Sequence, residues 1–170
     1  MPVSRLRGVP KTLVLVRHAK SAWPDDVSDH ERPLAKRGRR DAPAVGRWLV
    51  ENDVSPQVLV ASSALRAVET ADLIAAELKP APRRVMTDQA YDAYPAELLE
   101  LVRTLPAEAD TAALVGHNPG IQMLATLLAD SDSGLGEFPT SAVCVLAFDG
   151  GWASTGPGTG RLIAFAVPRG

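Results

Sequence analysis

KTLVLVRHAKS, Lys11 to Ser21, opens with an unbroken apolar-rich run, Thr12 to Val16, and then breaks abruptly into charge at Arg17 and His18. Consecutive rather than alternating apolar residues fit a central parallel strand buried on both faces. The same signature recurs at Gln57 to Ala61 (QVLVA) and at Ala112 to Gly116 (AALVG), with a weaker strand at Arg84 to Thr87. Between the strands, Leu65 to Leu78 and Ala96 to Leu105 carry helical apolar spacing. A helix is expected over Ala44 to Glu51 and begun earlier, with Pro43 arguing for a start near it or a kink at it. Another should run from Asn118 to about Ala129, with Asn118 as N-cap and Pro119 in the first turn. The β-like runs Ala142 to Phe148 and Leu162 to Val167 flank a glycine-rich loop and suggest an antiparallel pair at a sheet edge. Strand–helix alternation of this kind predicts an α/β fold: a three-layer α/β/α sandwich around a mostly parallel central sheet with an antiparallel edge strand.

The chain has 170 residues, enough for one domain over 1–170, with residues 1–10 expected as a flexible N-terminal segment. Apolar residues make up 46% and charged residues 22%, which excludes a wholly disordered chain. The net charge of −2 and the lack of a long basic run give no reason to expect nucleic acid or an acidic membrane as a partner. No apolar run has the length of a membrane span or of a signal peptide, so a cytoplasmic address is expected. The single cysteine, Cys144, lies in the apolar run AVCVLAF and reads as an inert buried thiol. With only three histidines, none closely spaced, no metal site is expected.

In open parallel sheets ligands bind beyond the carboxyl ends of the strands. Three predicted strands end in conspicuous polar residues: Arg17-His18 after the first, Ser62-Ser63 with Arg66 after the second, and His117-Asn118 after the fourth. If the strands are parallel, two histidines and two arginines face one crevice. That donor set suits a phosphoryl group: guanidinium forks match phosphate oxygens, and a neutral imidazole can attack phosphorus. Ser63 is expected to cap the helix that carries Arg66, and Ser21 either donates to phosphate or caps a turn.

Four segments, LVLVRHAKSAW, RPLAKRGRRDA (Arg32 to Ala42), VLVASSALRAVETA (Val58 to Ala71) and LVGHNPGI (Leu114 to Ile121), together resemble the histidine phosphatase superfamily, also called phosphoglycerate-mutase-like. Compact length and the His-Asn-Pro segment look like its short SixA-type phosphohistidine phosphatases. The resemblance implies a metal-independent phosphatase, without cofactor, that works through a phosphohistidine intermediate. His18 would be the nucleophile, Arg17 and Arg66 phosphate clamps, and His117 a ligand of the phosphoryl group. Protein phosphohistidine is the expected substrate; a phosphatase or mutase for small phosphate esters, or a phosphate-binding module without turnover, is the alternative. Two departures stand out. Ala19 replaces the glycine of the family's Arg-His-Gly, and no glutamate follows the third strand as leaving-group acid. Asp88 and Asp92 are the candidates for that acid, each weighed against a structural role.

Other residues receive plainer readings. His30 is expected in a surface loop, Arg32 as a bridge from loop to core, and Lys36 to Arg40 as a solvated helix face, with a docking patch for an acidic protein as the other reading. Trp23 should sit at the pocket rim or pack its loop, and Trp48 should face the core. The loops Pro24 to Pro33 and Ser131 to Pro139 are placed to fold over the pocket, and Lys20 or Lys36 to meet a second anionic group. The partner expected is a phosphorylated protein or small phosphorylated substrate.

Overall fold

The computed structural model describes residues 10–130 and 133–170. The expected flexible N-terminal segment therefore lies almost wholly outside the described residues, as do residues 131–132 of the loop before Pro139. Six strands form one sheet: β1 (Lys11–Arg17), β2 (Val58–Ser62), β3 (Arg83–Thr87), β4 (Thr111–Gly116), β5 (Val143–Phe148) and β6 (Arg161–Ala166). The order across the sheet is β3-β2-β4-β1-β5-β6. Strands β1 to β4 pair in parallel, and β5 and β6 close one side antiparallel.

Four helices cover the two faces: α1 (Lys36–Glu51), α2 (Leu65–Glu77), α3 (Pro95–Arg103) and α4 (Gly120–Leu128). Alternate residues of β1 feed opposite cores. Val14 and Val16 pack with Val45 and Leu49 of α1 and Ile74 of α2, while Leu13 and Leu15 pack with Leu98 of α3 and Leu124 of α4. Each fully buried aliphatic side chain contributes about 1.5–3 kcal/mol, so the double-sided burial of β1 is what fixes it at the centre. This is the three-layer α/β sandwich the apolar runs predict. Cys144 is buried between the sheet and the α3–α4 layer, and burial pushes its thiol up to about 12.

Helix α1 begins eight residues earlier than Ala44, and Pro43 lies inside it. Its first turns bury small residues, Gly38 and Ala42, together with Asp41. Asp41 is 1% exposed and is held by Arg37 Nε at 3.4 Å, Arg169 Nη1 at 3.2 Å and the Gly170 amide at 3.1 Å. Lys36, Arg37, Arg39 and Arg40 are exposed, as expected of a solvated face, and Lys36 is absent from the phosphate pocket. Trp48 is half-buried against the α1–α2 core rather than enclosed by it.

Gly38 lets α1 touch the loop after β1: a Cβ there would lie 2.1 Å from the Lys20 carbonyl oxygen. Gly38→Ala is expected to cost about 1–3 kcal/mol through backbone displacement, read as a drop of roughly 2–4 °C in Tm for each kcal/mol. Gly136, where an added Cβ meets nothing within 4 Å, is the control and should tolerate alanine with an unchanged Tm.

Candidate active site

Parallel register sets Arg17, the last residue of β1, against Gly116, the last residue of β4. The next residue on each strand is a histidine, so His18 and His117 leave the sheet side by side, with ring centroids 5.0 Å apart. Arg66 arrives in the first turn of α2, directly after β2. All four residues line one open cavity of about 240 Å³ at the carboxyl ends of the parallel strands, together with Lys20, Ser21, Trp23, Arg32, Asn118 and Thr140.

The imidazole of His18 is only 7% exposed, and its Nδ1 lies 2.8 Å from the Ala19 carbonyl oxygen. A carbonyl only accepts, so Nδ1 carries the proton and Nε2 keeps its lone pair. Burial lowers the His18 pKa to about 3, helped by His117, Arg66 and Arg17 and opposed by the Ala19 carbonyl. His117 is lowered to about 4, first by burial and then by Arg66 and Arg17, with Asp29 opposing. Its Nε2 pairs with Ser62 Oγ at 2.8 Å, while its Nδ1 is buried without a partner. Arg17 Nη1 donates to the Phe138 carbonyl at 2.9 Å, and the Nε atoms of Arg17 and Arg66 are also buried and unpartnered. Unmatched buried donors around one cavity are costly unless an acceptor meets them; a tetrahedral oxyanion fits that requirement.

Ala19 substitutes for glycine without strain: its methyl group packs against Leu34 and Ala42. Its amide donates to Thr70 Oγ1 at 3.0 Å, and the Thr70 hydroxyl donates to the Arg66 carbonyl at 2.7 Å. One buried hydroxyl thus ties the turn carrying His18 to the helical turn carrying Arg66.

Several expectations are corrected. Helix α4 starts at Gly120, after a cis Asn118–Pro119 bond, and Asn118 does not cap it. The Asn118 amide instead donates to Phe138 O at 3.0 Å and to Gln122 Oε1 at 3.1 Å, pinning the segment before β5. Ser63 does not cap α2. Its hydroxyl donates to Asp88 Oδ1 at 2.5 Å and meets His30 Nε2 at 2.9 Å. Asp88 and Asp92 do not line the phosphate cavity. They flank a separate depression of about 450 Å³ that Gln89, Tyr91, Glu97 and Glu100 also line. His30 is not a free surface residue: it is half-buried, bonded to Ser63 and edge-on to Tyr91 at 4.8 Å.

Ser21 is reached through Arg32, whose Nη2 donates to Ser21 Oγ at 2.5 Å. Arg32 also donates to Asp29 Oδ1 at 3.0 Å and lies over the Trp23 ring, its Cζ 3.1 Å from the centroid. The stack holds Trp23 at the rim although its side chain is 75% exposed. Sequence reasoning missed Asp29 and Tyr91. Asp29 receives Arg66 Nη1 on its carbonyl at 2.6 Å and Arg66 Nη2 on its carboxylate at 3.1 Å, and Tyr91 OH donates to the same carboxylate at 2.6 Å. The Tyr91 hydroxyl, followed by Arg32 and Arg66, holds that carboxyl well below the usual carboxylate range. Asp29 is therefore a fixed anion that orients two guanidiniums. Nothing in DVSDHERP distinguishes it from its acidic neighbours except position next to the matched RPLAKRG segment.

The sequence profile of the histidine phosphatase superfamily (branch 1) matches residues 13–92. The chain is 38% identical over 162 residues to the uncharacterized protein Rv1276c of Mycobacterium tuberculosis, covering 91% of this chain and all of that protein. Among solved structures it resembles the proposed phosphohistidine phosphatase SixA of Nakamurella multipartitia, with TM-score 0.83 and 31% identity over 94% of this chain and 96% of that one. The proposed SixA of Agrobacterium tumefaciens aligns with TM-score 0.80 and 27% identity over 94% and 99%. Among the described residues no helix is long and apolar enough to cross a membrane. With the strand-end histidines and arginines in one cavity and relatives matched along nearly their whole length, the chain belongs to the histidine phosphatase superfamily, in its SixA-type branch, and is a phosphatase.

Proposed function

We propose that the protein hydrolyses phosphohistidine on proteins, without metal, through a phosphoryl group carried transiently by His18. The observation that carries this reading is the His18 Nδ1 contact with the Ala19 carbonyl, which leaves a neutral Nε2 lone pair among cationic donors. Nε2 attacks phosphorus in line, the bond to the leaving group breaks, and water later displaces His18 to release phosphate. Arg17 and Arg66 hold the equatorial oxygens, and His117 donates from Nδ1 when Ser62 presents its hydroxyl hydrogen to Nε2. Fixed cationic donors meet the charge of the transferring group, which is most of what phosphoryl transfer demands.

The substrate class rests on the matched relatives and on the shape of the site. The structures at 31% and 27% identity are described as proposed phosphohistidine phosphatases. The cavity is open, rimmed by the exposed Trp23, and suits a side chain presented by another protein. A small ester is the second reading, favoured by Lys20, which lines the cavity and can meet a second anionic group.

Brief exposure to substrate is expected to leave acid-labile, alkali-stable phosphate on the protein and none on His18→Ala; phosphate on serine or aspartate would refute the mechanism. Arg66→Lys keeps charge but loses the fork, and should lower kcat/KM at least about 100-fold, near the roughly 3 kcal/mol of one oxyanion donor. Chelation should leave turnover intact and vanadate should inhibit it.

The pH dependence follows from the two lowered histidines. Their folded pKa values lie below the ordinary value of about 6.5, so the unfolded chain binds more protons in the interval between. Stability is then fully present above about pH 6.5 and is lost as pH falls through about 4 for His117 and about 3 for His18. Urea midpoints should decline on acidification across that window, and imidazole NMR signals of both residues should stay neutral from about pH 5 to 8. A His18 signal titrating near pH 6.5 would contradict the neutral nucleophile.

A further inference from the structure

Resting on the His18 reading, we infer that His30 is the leaving-group proton donor, the role for which the sequence offers no glutamate. Ser63 has one hydroxyl hydrogen, and the Asp88 carboxylate, which only accepts, takes it at 2.5 Å. Ser63 Oγ must then accept from His30 Nε2–H at 2.9 Å. Asp88←Ser63←His30 is thus a directional chain. It keeps the Nε2 proton in place, leaves Nδ1 as the nitrogen that exchanges its proton, and places a carboxylate two hydrogen bonds behind the ring.

The chain is tied to the phosphate site through its middle and through its His30 end. Ser63 follows Ser62, the partner of His117, and precedes Arg66 by less than one helical turn. Asp29, next to His30, holds Arg66 through its carbonyl and its carboxylate. The Tyr91 ring meets His30 edge-on at 4.8 Å and His117 at 5.8 Å, so one aromatic ring separates His30 from His117, just outside the residues that line the cavity. Asp88, a candidate acid from the sequence, acts here behind a histidine rather than on substrate.

In the first step the bond from His18 Nε2 to phosphorus forms and the bond from phosphorus to the leaving atom breaks. The bonding pair goes to the leaving atom, which takes the proton from His30 Nδ1. In the second step neutral His30 Nδ1 accepts a proton from the attacking water, the His18–phosphorus bond breaks, and its electron pair returns to Nε2. Both histidines end as they began.

Kinetics on 2,4-dinitrophenyl, 4-nitrophenyl and phenyl phosphate test this, because demand for an acid rises as the leaving group becomes more basic. His30→Ala is expected to lose at least about 100-fold in kcat/KM on phenyl phosphate, within the range for general acids. That loss should exceed the loss on 2,4-dinitrophenyl phosphate at least about 10-fold, and added imidazole should restore part of the phenyl phosphate turnover. Ser63→Ala keeps the imidazole but cuts the chain, and should steepen the same leaving-group dependence. Equal losses on all three esters without imidazole rescue, with His18 still becoming phosphorylated, would overturn the role of His30 alone. Absence of phosphate on His18 in the parent protein would instead overturn the underlying mechanism.

Discussion

Parallel pairing of β1 with β4, in the register that sets Arg17 opposite Gly116, is the constraint from which the site follows. Side chains alternate between faces along a strand, so a one-residue slip would exchange the Leu13/Leu15 and Val14/Val16 sets between two different cores. Core packing on both faces therefore specifies register. Register in turn brings the two histidines to 5.0 Å from each other without any direct bond between them. The energy that positions the chemistry is spent on apolar burial far from it.

At the strand ends the balance shifts to electrostatics. Burial beside guanidiniums keeps two imidazoles neutral down to a pH at which water would protonate them. Asp29 offsets part of that positive field. It sits at the protein surface with its carboxylate about half exposed, so its attraction for Arg32 and Arg66 is weakened by solvent, and its value is chiefly geometric. It turns Arg66 so that the unpartnered Nε remains available, while Arg32 is spread over Trp23 and Ser21.

The central strands, the helices that follow them and the four residues Arg17, His18, Arg66 and His117 were legible because burial on both faces writes continuous apolar runs, and because those runs stop abruptly at polar residues. The start of α1 was only partly legible: Lys36 to Arg40 read as a helix face, yet nothing joined it plainly to the helix over Ala44 to Glu51. Its first turns read as a charged run with a proline, since Gly38 and Ala42 bury little area and Asp41 is accommodated by Arg37, Arg169 and Gly170, the last two more than a hundred residues away. Loop residues carry no period at all. Asp29, His30, Arg32 and Tyr91 meet only because the fold closes the segment after β1 onto the segment after β3, and Tyr91 reaches Asp29 across 62 residues of chain. The caps expected at Ser63 and Asn118 failed for a common reason: each side chain is a stronger partner for a neighbouring loop, through Asp88 or Phe138, than for the helix behind it.

The Thr70 hydroxyl, bonded both to the Ala19 amide and to the Arg66 carbonyl, makes two turns of the site mechanically one object. Substitutions in contact with a shared partner depart from additivity. Exchanges at position 19 and in the first turn of α2 are therefore expected to be non-additive in their effect on stability. Thr70, which does not line the cavity, is thereby the single side chain through which the turn of the nucleophile and the turn of its clamp feel each other.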